Sequence, residues 1–329
     1  MESLLLSLLT EALLHQASDL HFISIDEAVV FMRKRGRIMP LRKLSEDLYH
    51  RLIQYLKFLS DIDLNRPRDL QTGHFTFRVQ ERDYHFRLSF VPGIKDEHLD
   101  LRILNNHPVL TLQDIVCDQH DLELFERLIT AKSGMVVICG PTGSGKSTTL
   151  HTLHNLIDQS RTRNIITIED PIEIENRHFI QIQVNEASGL DFTQALKQVL
   201  RHDPDVVMIG EIRDHASARL AMRLALSGHL TLTTLHAGNV KAGIRRLLNL
   251  GILEDDLKEV LKAMIAQKLI YPENQIQPLC LHEFLAYEQL MNYFNHHPYV
   301  YCTFDHVLDA CQASGKLSAK DVIGEYEYH

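Results

Sequence analysis

Apolar residues change their spacing several times along the chain, and each change predicts a different element. Leu4 to Leu14 is nearly continuous, but Glu2 and Glu11 interrupt it, so the segment reads as an amphipathic helix. In "AVVFMRKRGRIMPL", Val29, Val30, Phe31 and Met32 predict a strand and Arg35-Gly36 a turn. From Glu46 to Leu59, Leu48, Leu52, Tyr55, Leu56 and Leu59 return at helical spacing. "GHFTFRVQERDYHFRLSFVP" alternates instead. It predicts two strands about a polar turn from Gln80 to Asp83, with Phe75, Phe77 and Val79 on the first and Tyr84, Phe86 and Leu88 on the second. "LDLRIL" predicts a last strand, which completes a small α+β domain over residues 1–104.

"NNHPVLTL", residues 105–112, is rich in turn formers and reads as a linker or hinge. Beyond it, apolar runs alternate with helical stretches. "MVVIC", "NIITI", "VVMI" and "HLTLTTL" predict strands; helices follow Gly145 and cover Asp191 to His202 and Ala216 to Ser227, with Gly228 as a stop signal. Buried strands alternating with helices imply a parallel sheet covered on both faces. The second domain is expected over 113–329, with a helical subdomain from about residue 239.

Composition narrows the function classes. The 329 residues, 45% of them hydrophobic, suffice for about two domains. A net charge of −9 argues against holding nucleic acid in bulk through its phosphates, so no direct nucleic-acid binding is expected. The five cysteines form no CxxC pair, which speaks against a disulfide framework and for a reducing cytosol. No apolar run reaches the roughly 18 residues a bilayer requires. The chain is expected to be cytoplasmic and to meet a membrane only peripherally.

The strongest chemical signal is "GPTGSGKST": Gly140, Pro141, Thr142, Gly143, Ser144, Gly145, Lys146, Ser147 and Thr148. It fits G-x-x-x-x-G-K-[ST] between a strand and a helix. Glycines let successive N–H groups turn inward around phosphate oxygens, and the helix directs its positive end to the same place. Lys146 would reach the β- and γ-phosphates of ATP, and the Ser147 hydroxyl would ligate Mg²⁺.

In an open parallel sheet, ligands sit at the carboxyl ends of the strands. There "NIITI" delivers Glu169-Asp170, "VVMI" delivers Gly210-Glu211, and "HLTLTTL" delivers His236. Glu169 and Glu211 suit metal ligation and water activation, and His236 suits sensing of the γ-phosphate. Each alone could equally be a cap or a structural residue. His229 is the weaker histidine candidate. Arg87 and Arg102 on adjoining strands, with Arg201 and Arg213 flanking "DPDVVMIGE", offer guanidinium forks for phosphate; a solvated face or carboxylate pairing is the alternative.

The order "GPTGSGKST", "ITIEDPIE", "DPDVVMIGEIRD", "GHLTLTTLHA" closely resembles the secretion and pilus motor ATPases, which power type II secretion, type IV pili and competence pseudopili. In that family these are the Walker A, Asp box, Walker B and His box segments. "ASDLHF" and "LRILNNHPVLTLQDI" also resemble its amino-terminal domain and linker. The resemblance implies a PAS-like domain joined to a RecA-like ATPase domain, a homo-hexameric ring, and transmission of domain closure to an inner-membrane platform protein. It implies that Arg87 and Arg102 reach the γ-phosphate, with Arg201 and Arg213 in the same network. Glu211 becomes the catalytic glutamate, Glu169 a supporting metal and water ligand, and His229 and His236 the His box.

Departures from the family refine this expectation. Only Cys280 stands where many secretion members carry a four-cysteine zinc insertion, the extra amino-terminal docking domain of many assembly ATPases is missing, and no "AIRNLI"-type retraction segment is present. The chain is therefore most similar to competence-type ATPases of Gram-positive bacteria, acting on pilin assembly. Competing readings are another secretion or pilus ATPase, including a retraction motor, a small-molecule kinase, and a nucleotide-dependent scaffold with little turnover.

Overall fold

The chain divides into two units, Met1–Asn106 and His107–His329, each with its own sheet and core. The computed structural model describes residues 1–34, 36–60, 62, 71–93, 97–104, 110–159, 162–170, 172, 174, 176, 178–184, 192–272, 275 and 277–321. Of the expected linker, 105–109 lie outside these, and Leu112 already opens a short helix.

In the first unit the elements are α1 (Glu2–Leu14), β1 (Asp19–Ser24), β2 (Ala28–Lys34), β3 (Arg37–Leu44), α2 (Glu46–Leu59), β4 (Gln71–Val79), β5 (Arg82–Pro92) and β6 (Glu97–Leu104). The strands form a six-stranded antiparallel sheet in the order β3-β2-β1-β6-β5-β4. Leu5, Leu8, Leu9 and Ala12 of α1 and Tyr49, Leu52, Ile53 and Leu56 of α2 share one core with Leu20, Phe22, Phe86, Leu88, Leu99 and Leu101. Period-2 alternation puts Asp19, His21, Arg33, His74, Arg87 and Arg102 on the other face, where Ile23, Val29 and Phe31 are also found. The expected four-residue turn after β4 is tighter. Gln80 (φ 48°) and Glu81 (φ 65°) alone make it, both left-handed as a two-residue hairpin demands, and Asp83 already pairs with Arg78. The strands β1 and β3 add to those read from the sequence.

The second unit contains α3 (Leu112–Ile115), α4 (Gln119–Ile129), β7 (Gly134–Cys139), α5 (Lys146–Asp158), β8 (Ile165–Glu169), β9 (Ile180–Gln183), α6 (Phe192–Val199), β10 (Val206–Ile212), α7 (His215–Leu226), β11 (Leu230–Leu235), α8 (Val240–Asn249), α9 (Glu254–Val260), β12 (Leu261–Ile270), β13 (Leu279–Ala286), α10 (Tyr287–Phe294) and α11 (Phe304–Ala313). Seven strands are ordered β13-β12-β7-β11-β10-β8-β9; β13 is antiparallel to β12 and the remaining pairs are parallel. Along β7, Met135, Val137 and Cys139 enter one core while Val136 and Ile138 enter the other, so both faces are covered.

The region beyond 239 is helical as expected except over 261–286, where β12 and β13 stand. "LKAMIAQKLI" is built from good helix formers, yet it is buried on both faces beside β7. A central sheet position overrides intrinsic propensity there. Among the described residues, no helix is long and apolar enough to cross a membrane.

Candidate functional site

The glycine-rich loop leaves the carboxyl end of β7 and enters α5. Gly143 (φ +79°) and Gly145 (φ +84°) adopt the left-handed conformation that side chains disfavour. Gly140 is excluded from change for a different reason: a Cβ there would lie 2.4 Å from the Gln267 carbonyl oxygen. Pro141, Thr142 and Gly143 form the exposed crest, Ser147 and Thr148 are half-buried, and Ser144 and Lys146 are buried. Lys146 Nζ donates to the carbonyls of Gly140 (3.0 Å) and Pro141 (2.8 Å), which folds the cation back onto its own loop.

The loop is braced from β12. Gln267, only 1% exposed, donates through Nε2 to the Ser144 carbonyl (2.6 Å) and accepts at Oε1 from the Thr149 hydroxyl (2.8 Å). Sequence reasoning overlooked Gln267. Its one signal was a lone amide inside an apolar run.

At the end of β8, Glu169 is 3% exposed, more enclosed than its expected role suggested. Its Oε1 accepts from Thr167 Oγ1 (2.8 Å) and Gln181 Nε2 (3.2 Å), and Oε2 lies 3.6 Å from His151 Nε2 of α5. Burial pushes this carboxyl up, but the His151 contact and the hydroxyl and amide donors outweigh it and hold the pKa below the ordinary value.

Glu211 lies within β10, where the register with β11 shifts between Ile209 and Ile212. Such an irregularity re-aims a side chain at a strand end. Glu211 Oε1 is 3.0 Å from His236 Nε2, and Oε2 accepts from Arg213 Nε at 3.2 Å. Arg213 also donates to the Asp170 carboxylate (3.0 Å) and the Asp170 carbonyl (3.2 Å). Burial opposes the charge on Arg213, yet Glu211 and Asp170 raise its pKa overall. One chain of contacts thus links residues from the ends of β8, β10 and β11 at the sheet edge that also receives the glycine loop. The Thr234 hydroxyl, donating to the Gly210 carbonyl at 2.6 Å, ties β11 to the Glu211 segment.

Two expected site residues stand elsewhere. His229 precedes β11, where its carbonyl accepts from Gly134 N at the start of β7 and its ring meets Ser227 and Leu224. Arg201 follows α6 and precedes β10, exposed at that same amino-terminal edge. Both are separated from His236 and Arg213 by the length of a strand, because a residue before a parallel strand and one after it occupy opposite edges. Arg87 and Arg102 belong to the first unit. They sit directly opposite one another on β5 and β6, on the face away from that unit's core.

The arrangement fits a magnesium–nucleotide ligand. Positive-φ glycines leave room for phosphate oxygens, a lysine stands inside the loop, and a hydroxyl (Ser147) and a partly exposed carboxylate (Glu211) supply hard oxygen donors.

Comparison with known proteins gives the family. A family model described as "Type II/IV secretion system protein" matches residues 1–311. Competence protein ComGA of Bacillus subtilis (strain 168) is 36% identical over 265 residues, 80% of this chain and 74% of that protein. The protein transport protein HofB homolog of Haemophilus influenzae is 38% identical over 270 residues, 81% of this chain and 58% of its own. Among solved structures, the Legionella pneumophila ATPase DotB superposes with a TM-score of 0.73 at 25% identity, covering 89% of this chain and 83% of DotB. The pilus retraction motor PilT with bound ADP gives 0.69 at 27% identity, covering 94% and 89%. With family segments, sheet order and a phosphate loop all in place, the chain belongs to the type II/IV secretion system protein family and is one of its motor ATPases.

Proposed function

We propose that this ATPase powers assembly of a competence pseudopilus for DNA uptake, as a Mg²⁺-dependent homo-hexamer that works on an inner-membrane platform protein. The likeness to ComGA supports this reading over retraction. The observation that carries the chemistry is the His236–Glu211–Arg213–Asp170 chain at the sheet edge that receives the glycine loop.

In the proposed cycle, loop N–H groups clasp the β- and γ-phosphates, and Lys146 leaves the Gly140 and Pro141 carbonyls for them. Mg²⁺, when bound to Ser147 with Glu211 and Glu169 near it, would neutralise phosphate charge. Glu211 accepts a proton from the attacking water, with His236 and Arg213 fixing the carboxylate. Glu169 stays anionic behind it in its buried hydrogen bonds.

Deleting the gene in its own host tests the biological half. We expect cells without pseudopili and without DNA uptake, both restored by the wild-type gene but not by one encoding Glu211→Gln. Mutant cells that instead carry excess, unretracted pili would contradict assembly.

A further inference from the structure

Strands β10 and β11 run in register from Val206 opposite Leu230 to Ile209 opposite Thr233, and resume with Ile212 opposite Leu235. Three steps along β10 are thus matched by two along β11, so β10 carries one extra residue at Gly210-Glu211. Pairing of β10 with β8 also ends at Ile209, opposite Ile168. The extra residue changes what Glu211 faces. Ile209 and Ile212 enter the same core, whereas in a regular strand residues three apart face opposite sides and Glu211 would share the Ile209 side. The irregularity turns Glu211 off that side. Its side chain is 24% exposed, with the carboxylate 3.0 Å from His236 Nε2 and 3.2 Å from Arg213 Nε.

One side chain fastens the backbone at this point. Thr234 is 3% exposed, and its hydroxyl donates to the Gly210 carbonyl at 2.6 Å. Thr234 itself stands in the unbroken ladder between β11 and β7, opposite Ile138, so the donor is anchored in the middle of the sheet. On the β8 side the segment lies against Glu169, whose Cγ would be 3.4 Å from a Cβ placed on Gly210. A hydroxyl buried in a central strand is costly unless it finds a partner, and valine would fill the same space without that demand. The bond to Gly210 is what the threonine supplies here.

We propose that Thr234 is a positioning residue for ATP hydrolysis: its hydroxyl holds the Gly210 carbonyl, which fixes the irregularity in β10 and so aims the Glu211 carboxylate. This rests on the reading of Glu211 as the group that takes the proton from the attacking water. Thr234 acts only through the Gly210-Glu211 backbone and contacts no reacting atom. A general base that is misaimed slows the chemical step, while the glycine loop that holds the phosphates is left as it was, so the loss falls on kcat.

Steady-state ATPase kinetics on the full chain test it. Thr234→Val keeps the branched shape and removes the donor; kcat should fall at least about tenfold, with KM for ATP unchanged within about twofold. Thr234→Ser, which keeps the donor, should recover kcat to within about threefold of wild type. Thr234→Ala also lacks the hydroxyl and should show the same split as valine, so a poorly folding valine variant does not end the test. In a Glu211→Gln background, Thr234→Val should slow hydrolysis no further. Wild-type kcat for Thr234→Val beside a slow Glu211→Gln overturns the positioning role alone. Equal losses in the valine and serine variants overturn it too, because packing and not the hydroxyl would then matter, and so do losses that multiply in the double variant. Wild-type turnover by Glu211→Gln overturns the reading of Glu211 itself, and the Thr234 inference with it.

Discussion

Replacing Gln267 by leucine keeps nearly the same volume and deletes both ends of the brace beneath the phosphate loop. The Ser144 carbonyl loses its 2.6 Å donor, and the Thr149 hydroxyl, 1% exposed, loses its 2.8 Å acceptor. Each buried polar group left without a partner costs about 1–3 kcal/mol. Even at the lower end the two sum to about 2 kcal/mol against the phosphate-ready loop, roughly a 30-fold change in population. Gln267→Leu should therefore weaken ATP binding by about 30-fold or more, measured by titration with a fluorescent ATP analogue. Gln267→Glu retains the acceptor for Thr149 but turns a carboxylate oxygen toward the Ser144 carbonyl, and it should bind no better than the leucine variant. Wild-type affinity in Gln267→Leu, with an unchanged melting temperature, would refute the reasoning.

Two further outcomes follow from the same region. His154 is fully enclosed, with Nδ1 hydrogen-bonded to the Leu150 carbonyl at 2.7 Å, and burial followed by the nearby His151 lowers its pKa to about 3. A depressed folded-state pKa contributes stability above the unfolded value near 6.5 that drains as pH falls toward about 3, by up to about 1.4 kcal/mol per pH unit. Thermal melts from pH 7 to pH 4 should fall less steeply for His154→Phe than for wild type, and parallel curves would refute this. Gly145→Ala forces a side chain onto φ +84° and puts a Cβ 3.0 Å from Gln267 Nε2. It should cost about 1 kcal/mol or more in backbone strain and displace the loop, seen as ATP affinity reduced at least fivefold.

The local motif was readable because it is contiguous: glycine spacing, a lysine and a following helix all lie within nine residues. Glu211 and His236 were readable because parallel strands send their carboxyl ends to one edge. The same rule separates His229 and Arg201, which precede their strands; proximity to a motif in sequence hid the direction of the chain. Strand β12 was illegible because alanine, methionine, lysine and glutamine favour helix until a central sheet position buries them. Gln267 and His151 could not be assigned partners from sequence, since Ser144 and Glu169 reach them only through the fold. The ion pairs of Asp19 with Arg33 and Arg102 were hidden likewise, because strand register brings those arginines to either side of it.

In the proposed cycle Glu211, held between His236 and Arg213, takes the proton from the attacking water. The most direct measurement is single-turnover ATP hydrolysis by Glu211→Gln, with nucleotide binding measured on the same preparation. We predict ATP affinity within about threefold of wild type and hydrolysis slowed at least about 100-fold. Hydrolysis at the wild-type rate by protein that binds ATP normally would contradict it.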